Sequence, residues 1–171
     1  MTRASSSAAG SAGRRQGPRR GRQHHARRGA GHGGPAAGRR SYEFFATRWP
    51  SRSGELADRL NSLPKYVVSS TLEDPAWNNS TVLKGDVVNA ASELTQQLNG
   101  DIVVYASFQL VRTLIEHDLV DELRLMIYPV VLGAGERLFG ETSDKKPMHL
   151  IDIRTVGDGL AFLTHEPARD A

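Results

Sequence analysis

The stretch DIVVYASFQLVRTLIEHDLV, residues 101–120, admits few folds. Ile102, Val103, Val104 and Tyr105 make the short apolar run of a buried strand, and Phe108, Val111, Leu114 and Ile115 then recur on one helical face. Ala106 and Ser107 are left to turn the chain. The pattern predicts a strand, a tight turn and a helix over 108–116, with the Ser107 hydroxyl as its N-cap. The unpaired N–H groups of such a first turn, at the positive end of the helix dipole, favour an anion such as phosphate. Taken alone, the unit is more simply an ordinary βα connection.

Neighbouring segments alternate in the same way. GRRSYEFFATRWP predicts a helix capped by Ser41, with Tyr42, Phe45 and Trp49 along one face and Pro50 as its stop. A second helix is expected over 54–63, then the strand KYVV ending in the hydroxyls Ser69, Ser70 and Thr71. A short strand at 81–83 and a helix over 86–98, through Val87, Ala90, Ala91 and Leu94, lead back to residue 101. Beyond it, Leu123, Leu125 and Ile127 alternate with Glu122, Arg124 and Met126 in a strand over 121–131, and Pro129 sends its later part to an edge or bulge. The end reads as two strands joined at Gly157, Asp158 and Gly159, a hairpin. The expected class is α/β: one mixed sheet flanked by helices and finished by an antiparallel hairpin.

Charge divides the chain. Residues 1–40 hold ten arginines and no acid, whereas residues 41–171 hold twelve Lys or Arg against nineteen Asp or Glu. The overall +3 therefore conceals an acidic domain, and gives no reason to expect that domain on nucleic acid. Residues 1–37 contain no Val, Ile, Leu, Phe, Tyr or Trp, too little apolar surface to offset the entropy of ordering, and are expected to be a disordered tail. Two other readings stand beside that one. An Arg/Gly arm would bind RNA or DNA by charge, but lacks interleaved aromatics on which bases stack. An out-of-frame start on GC-rich codons would give the same residue mixture. Residues 168–171 form a short terminal tail, leaving 38–167 as the domain.

Within that domain three loops share a composition: 38–41, 69–71 and 106–108, each at a strand end or helix start and each rich in small or hydroxyl residues. Such loops gather at the carboxyl ends of strands in α/β sheets, where ligands bind. Two helix N-termini, two adjacent arginines and a group of hydroxyls suit a nucleotide diphosphate with an extra phosphate.

GRRSYEFF, KYVVSSTL, VVYASFQLVRTLIEHDLVDELRLMIYPVVLGAGERLF and the closing hairpin resemble the dihydrofolate reductase superfamily. Within it the chain is most similar to the reductase domain of the bifunctional riboflavin-biosynthesis deaminase/reductase. The resemblance implies a dihydrofolate-reductase-like fold and NADPH-dependent reduction of a small heterocyclic or carbonyl substrate, a ribosylamino-pyrimidine in the named family. By position it implies Gly38, Arg39 and Ser41 at the cofactor pyrophosphate, with Arg40 in the variable place of that motif. Ser69 and Ser70, with Thr71, fall where the family contacts the 2′-phosphate, and Ala106, Ser107, Phe108, Gln109 and Leu110 fall on its pyrophosphate and nicotinamide side. With the edge hairpin the resemblance also implies a homodimer; the cytoplasmic expectation comes instead from the sequence, which has no apolar run long enough to span a membrane and no basic start before an apolar signal core.

Two departures from the family pattern carry expectations. Ala106 stands in place of a glycine, so its Cβ is expected to crowd a turn that needs unusual dihedrals. The family's first strand, its substrate-side loop and the apolar strand leading into the Gly38 loop should precede residue 38, where this chain is Arg/Gly-rich. Two central strands, and the substrate-contacting groups with any catalytic carboxylate, are accordingly expected to be missing. A noncatalytic nucleotide-binding or dimerisation module is the competing function, with nucleic-acid binding through the tail third.

Other chemistries find less support. The chain has no cysteine, hence no disulfide, thiolate site or cysteine nucleophile, and no zinc-deaminase motif. Glu116, His117, Asp118, Asp121 and Glu122 read as a solvated connector rather than a metal site, and His24, His25 and His32 lack acidic partners. His149 and His165 receive no role; Met126 and Tyr128 read as packing or partner-facing residues.

Overall fold

The computed structural model describes residues 33–169, and within it regular structure begins one strand earlier than expected. The reading of 1–32 as a tail or nucleic-acid arm, with its three histidines, lies outside the described residues. Pro35–Gly38 is β1, and it is an interior strand: it pairs in parallel with β2 (Lys65–Val68) on one side and with β4 (Val103–Val104) on the other. β3 (Ser80–Leu83) lies outside β2, giving the order β3-β2-β1-β4. The domain therefore does not start at Gly38, and the strand leading into that loop is present.

The reason it reads as tail is physical. β1 is PAAG, with Pro35 at its first residue, where a missing N–H is tolerated, and Ala36 only 6% exposed. The preceding glycines thread between neighbouring backbones. A Cβ on Gly33 would stand 2.0 Å from the carbonyl oxygen of Asp101, and one on Gly34 2.0 Å from that of Pro64. A strand so closely flanked is built from small residues, and the usual apolar signal is absent.

Among the described residues, four helices lie between the strands along the chain, the last of them leading out of this sheet. α1 (Arg39–Ala46) buries Tyr42 against Trp77, ring centroids 6.4 Å apart, and the Tyr42 hydroxyl accepts the Trp77 N–H at 2.8 Å. These two and the fully buried Val67 form a core cluster, with Phe45, Trp49, Leu60 and Leu72 packed against it. α2 (Glu55–Ser62) ends beside Lys65, whose Nζ donates to the carbonyls of Asn61, Leu63 and Asn78 at 3.1, 2.8 and 3.0 Å. Burial pushes the pKa of this ammonium group down to about 8. α3 (Val87–Gln97) is capped by Asp86, which accepts the Asn89 N–H at 2.9 Å. α4 (Phe108–Glu116) has the boundaries that its apolar spacing predicts, and buries Leu110, Leu114 and Ile115.

The remaining strands form a separate antiparallel sheet, β5 (Leu123–Ile127), β6 (Met148–Val156) and β7 (Leu160–Pro167), in the order β5-β7-β6. The hairpin turns where expected, with Gly157 and Gly159 both at positive φ. The α/β class holds, but the single mixed sheet is corrected to two: β4 pairs over only two residues with β1, and among the described residues no strand is bonded to its other edge. Ile127, Leu150 and Ile153 of the antiparallel sheet, with Tyr128, Val130, Val131 and Leu132 after β5, remain exposed.

Candidate functional site

Because β2, β1 and β4 run parallel side by side, their carboxyl ends lie along one edge, and the loops that follow them, 69–71, 38–41 and 105–107, are adjacent. The structure thus brings together the three loops singled out in the sequence and ties them by hydrogen bonds. The Gly38 N–H donates to Ser107 Oγ and the Ser107 N–H donates to Ser41 Oγ, each at 3.1 Å. Arg39 Nη1 donates to Thr71 Oγ1 at 2.6 Å. Ser69, buried, accepts the N–H groups of Thr71 and Leu72 at 3.2 and 3.0 Å, which folds the loop back so that Ser70 and Thr71 stand exposed.

Both expected hydroxyl caps are corrected. α1 begins two residues before Ser41, with Gly38 as its N-cap and no side-chain cap. Ser107 does occupy the N-cap place of α4, but in the left-handed region at φ 54° and ψ 49°, and its hydroxyl is turned away to the Gly38 N–H and the Tyr105 carbonyl. Neither helix has its first-turn N–H groups taken by a side-chain cap, so two positive helix ends are presented beside one another. Arg39 and Arg40 are exposed at the first of them.

Ala106 has φ 55°, and with Ser107 makes two consecutive left-handed residues, the unusual dihedrals expected of that turn. The remaining candidates divide. Gln109 is exposed; Phe108 is half-buried beneath the Arg112 guanidinium, 4.9 Å from its ring; Leu110 is a core residue that offers the loop only its backbone.

Two participants escape the sequence reading. Glu43 holds Arg39 from below, Oε1 to Nε 3.1 Å, and the spacing of four along α1 is the signal that would have found it. Arg112 binds α4 to a distant turn, Nε donating to the Leu138 carbonyl at 3.0 Å and Nη2 to that of Arg137; nothing local in sequence marks this.

The acidic connector after α4 is divided among separate partners. Hydrogen bonds from Ser143, with Lys146 and His117 nearby, hold the Glu116 carboxyl below its usual range. Lys146 also bonds Asp118 at 3.0 Å, and Arg169 bonds Asp121 at 2.7 Å. Among the described residues, no helix is long and apolar enough to cross a membrane.

This geometry can be set against known proteins. An uncharacterized Bacillus subtilis (strain 168) protein, YyaP, is 29% identical over 133 residues, covering 75% of this chain and 70% of that one. A putative riboflavin biosynthesis protein from Shewanella sp. PV-4 superposes with a TM-score of 0.65 at 22% identity, over 80% of this chain and 74% of its own. A pyrimidine reductase-like protein from Corynebacterium diphtheriae gives 0.57 at 12% identity, over 80% and 76%. Acinetobacter baumannii RibD gives 0.53 at 15%, and there the chain spans 47% of the longer protein. The structural likenesses establish the fold. The family follows from the sequence: the profile of the RibD C-terminal domain matches residues 5–162, and the chain belongs to that family.

Proposed function

We propose that this domain binds NADPH along the carboxyl edge of β2, β1 and β4 and is a reductase for a small heterocyclic or carbonyl substrate, of the ribosylamino-pyrimidine kind that its family suggests. The observation that carries the reading is the union of three loops around two uncapped helix N-termini, with Arg39 and Arg40 beside them. The residues present fit a dinucleotide. Gly38, Arg39, Arg40 and Ser41, with the backbone of residues 106–110, would hold the pyrophosphate. Ser69, Ser70 and Thr71, the last already bonded to Arg39, would hold the 2′-phosphate.

When bound, the cofactor supplies the hydride; the protein supplies binding, orientation and charge. Arg39 is held in place from two sides, by Glu43 and Thr71, and so offers a fixed rather than a wandering cation. The same reading takes the protein to be cytoplasmic and to pair with a second copy of itself.

Titration with NADPH and NADH, followed by nicotinamide fluorescence, tests the proposal. Saturable binding that prefers NADPH and weakens at least tenfold in Arg39→Ala is expected, given the strength of charge-assisted phosphate contacts. No saturable binding would overturn it. NADPH oxidation with a panel of pyrimidine, pterin and carbonyl substrates then separates a reductase from a noncatalytic dinucleotide-binding module, which would bind without turnover.

A further inference from the structure

The two sheets are tied together through α4. That helix packs against β1, and at its far end the Glu116 carbonyl accepts Lys146 Nζ, just before β6, at 2.8 Å. The Glu116 carboxylate accepts the Ser143 N–H at 3.0 Å, and Arg112 of the same helix reaches the Leu138 carbonyl. The chain thus runs β4, α4, β5, and a helix lying on a sheet returns its chain to the same layer. Because β1 fills one side of β4, β5 returns on the other, yet the two strands are not bonded. The Val103 N–H donates to the Gly34 carbonyl at 3.2 Å, so Val103 faces β1. Val104 then turns its N–H and C=O to the opposite side, where no strand is bonded among the described residues. β5 is bonded to β7 alone, and its second row of backbone groups is open as well.

Sheet edges that stay exposed are usually blunted by charge or by a bulge. The outer edge of β6 is of that kind, with a bulge between Leu150 and Asp152 and the ion pair of Asp152 with Arg154. β4 and β5 are not. In VV and LRLMI only Arg124 is charged, and Val103, Tyr105, Met126 and Ile127 stand 36 to 56% exposed on and beside these strands.

We infer that β4 and β5 flank one strand position, and that it receives an extended segment of another polypeptide, about five residues of continuous apolar sequence bonded to both edges. Five residues match β5 and span about 17 Å. Unpaired N–H and C=O groups on both sides call for a strand rather than a helix or a small molecule, and the exposed side chains beside them call for apolar partners. Residues 1–32, without Val, Ile, Leu, Phe, Tyr or Trp, bring none. A second copy pairing β5 with β5 would leave the edge of β4 unmatched. This inference stands apart from the dinucleotide reading.

The test titrates the full chain with a labelled probe peptide, alternating valine and isoleucine over five residues between pairs of lysines, and reads fluorescence anisotropy and backbone amide exchange. Saturable binding is expected, with exchange slowed about tenfold at Val104 and along β5 and unchanged along β6. The same peptide with proline at its centre, which removes a ladder donor, should not bind. Val103→Lys combined with Met126→Lys should weaken binding about tenfold at an unchanged melting temperature, while Val103→Ile with Met126→Leu should preserve it. No binding, equal binding of the proline peptide, or binding that leaves those amides exchanging as before overturns the inference. Slow exchange at Val104 and β5 before any peptide is added also overturns it. That protection assigns the position to the chain itself if it is independent of protein concentration, and to a second copy if it falls on dilution.

Discussion

At the scale of single residues, Ala106 and Lys65 are the positions where the fold holds chemistry against its preference. A Cβ in the left-handed region costs about 1 kcal/mol or somewhat more, so Ala106→Gly should raise unfolding stability by about 1 kcal/mol, and Ala106→Val should lower it; urea denaturation measures both. The strain was legible through the family resemblance, because Ala106 stands where that pattern has glycine. The role of Ser107 was not, because its hydroxyl is claimed by a backbone N–H that lies 69 positions away in the chain. Lys65 makes a prediction with a definite sign. Its folded pKa, about 8, lies below its ordinary value of 10.5, so between those pH values the unfolded chain holds more protons than the folded one. Stability from this group therefore rises as pH climbs from about 8 toward 10.5, and is lowest below that window. Thermal melts across the range should show the rise in the parent and lose it in Lys65→Met, which should also be less stable overall by roughly 1–3 kcal/mol because three partly buried carbonyls lose their donor.

At the scale of elements, periodicity predicted what side chains dictate and missed what backbone contact dictates. α4 and the closing hairpin emerge from sequence because their apolar positions and turn glycines are local signals. β1 does not, because its residues, PAAG, carry no large apolar side chain, and close backbone approach selects the glycines just before it. The start of α1 was displaced for a related reason: Ser41 is a good capping residue in general, but helical geometry already begins at Arg39, and the Ser41 hydroxyl is taken by another loop. The glycines around β1 give the test at this scale. Gly34→Ala would place a methyl group 2.0 Å from the Pro64 carbonyl oxygen and should cost roughly 2–4 kcal/mol, whereas Gly38→Ala meets nothing within 4 Å and should leave folding nearly unchanged. Denaturation of the two variants side by side distinguishes a backbone squeeze from a general intolerance of the segment.

At the scale of the whole molecule, two sheets replace the one expected, and the antiparallel sheet with the segment after β5 leaves a set of large apolar side chains in solvent, Val131 at 97% exposure among them. Exposed apolar surface, where it is contiguous, marks association sites. If the second copy proposed above covers them, light scattering should return twice the chain mass, and Val131→Lys combined with Ile153→Lys should halve it; a monomeric parent would exclude the pairing. Sequence reasoning anticipated the α/β class and the grouping of loops because both follow from the order of elements. It did not anticipate the division of the sheet, because which edges meet depends on pairing between distant segments.

The close approach of backbones just before β1 has a consequence for how such a chain can vary. At 33 and 34 the backbone of neighbours fills the space of a side chain; at 39 and 40, a few residues on, the side chains stand exposed at the edge of the sheet. Substitutions at the first pair are filtered by folding, and substitutions at the second by recognition. A survey of tolerated replacements along this short segment would therefore separate, within a few residues of chain, the demands of architecture from those of chemistry.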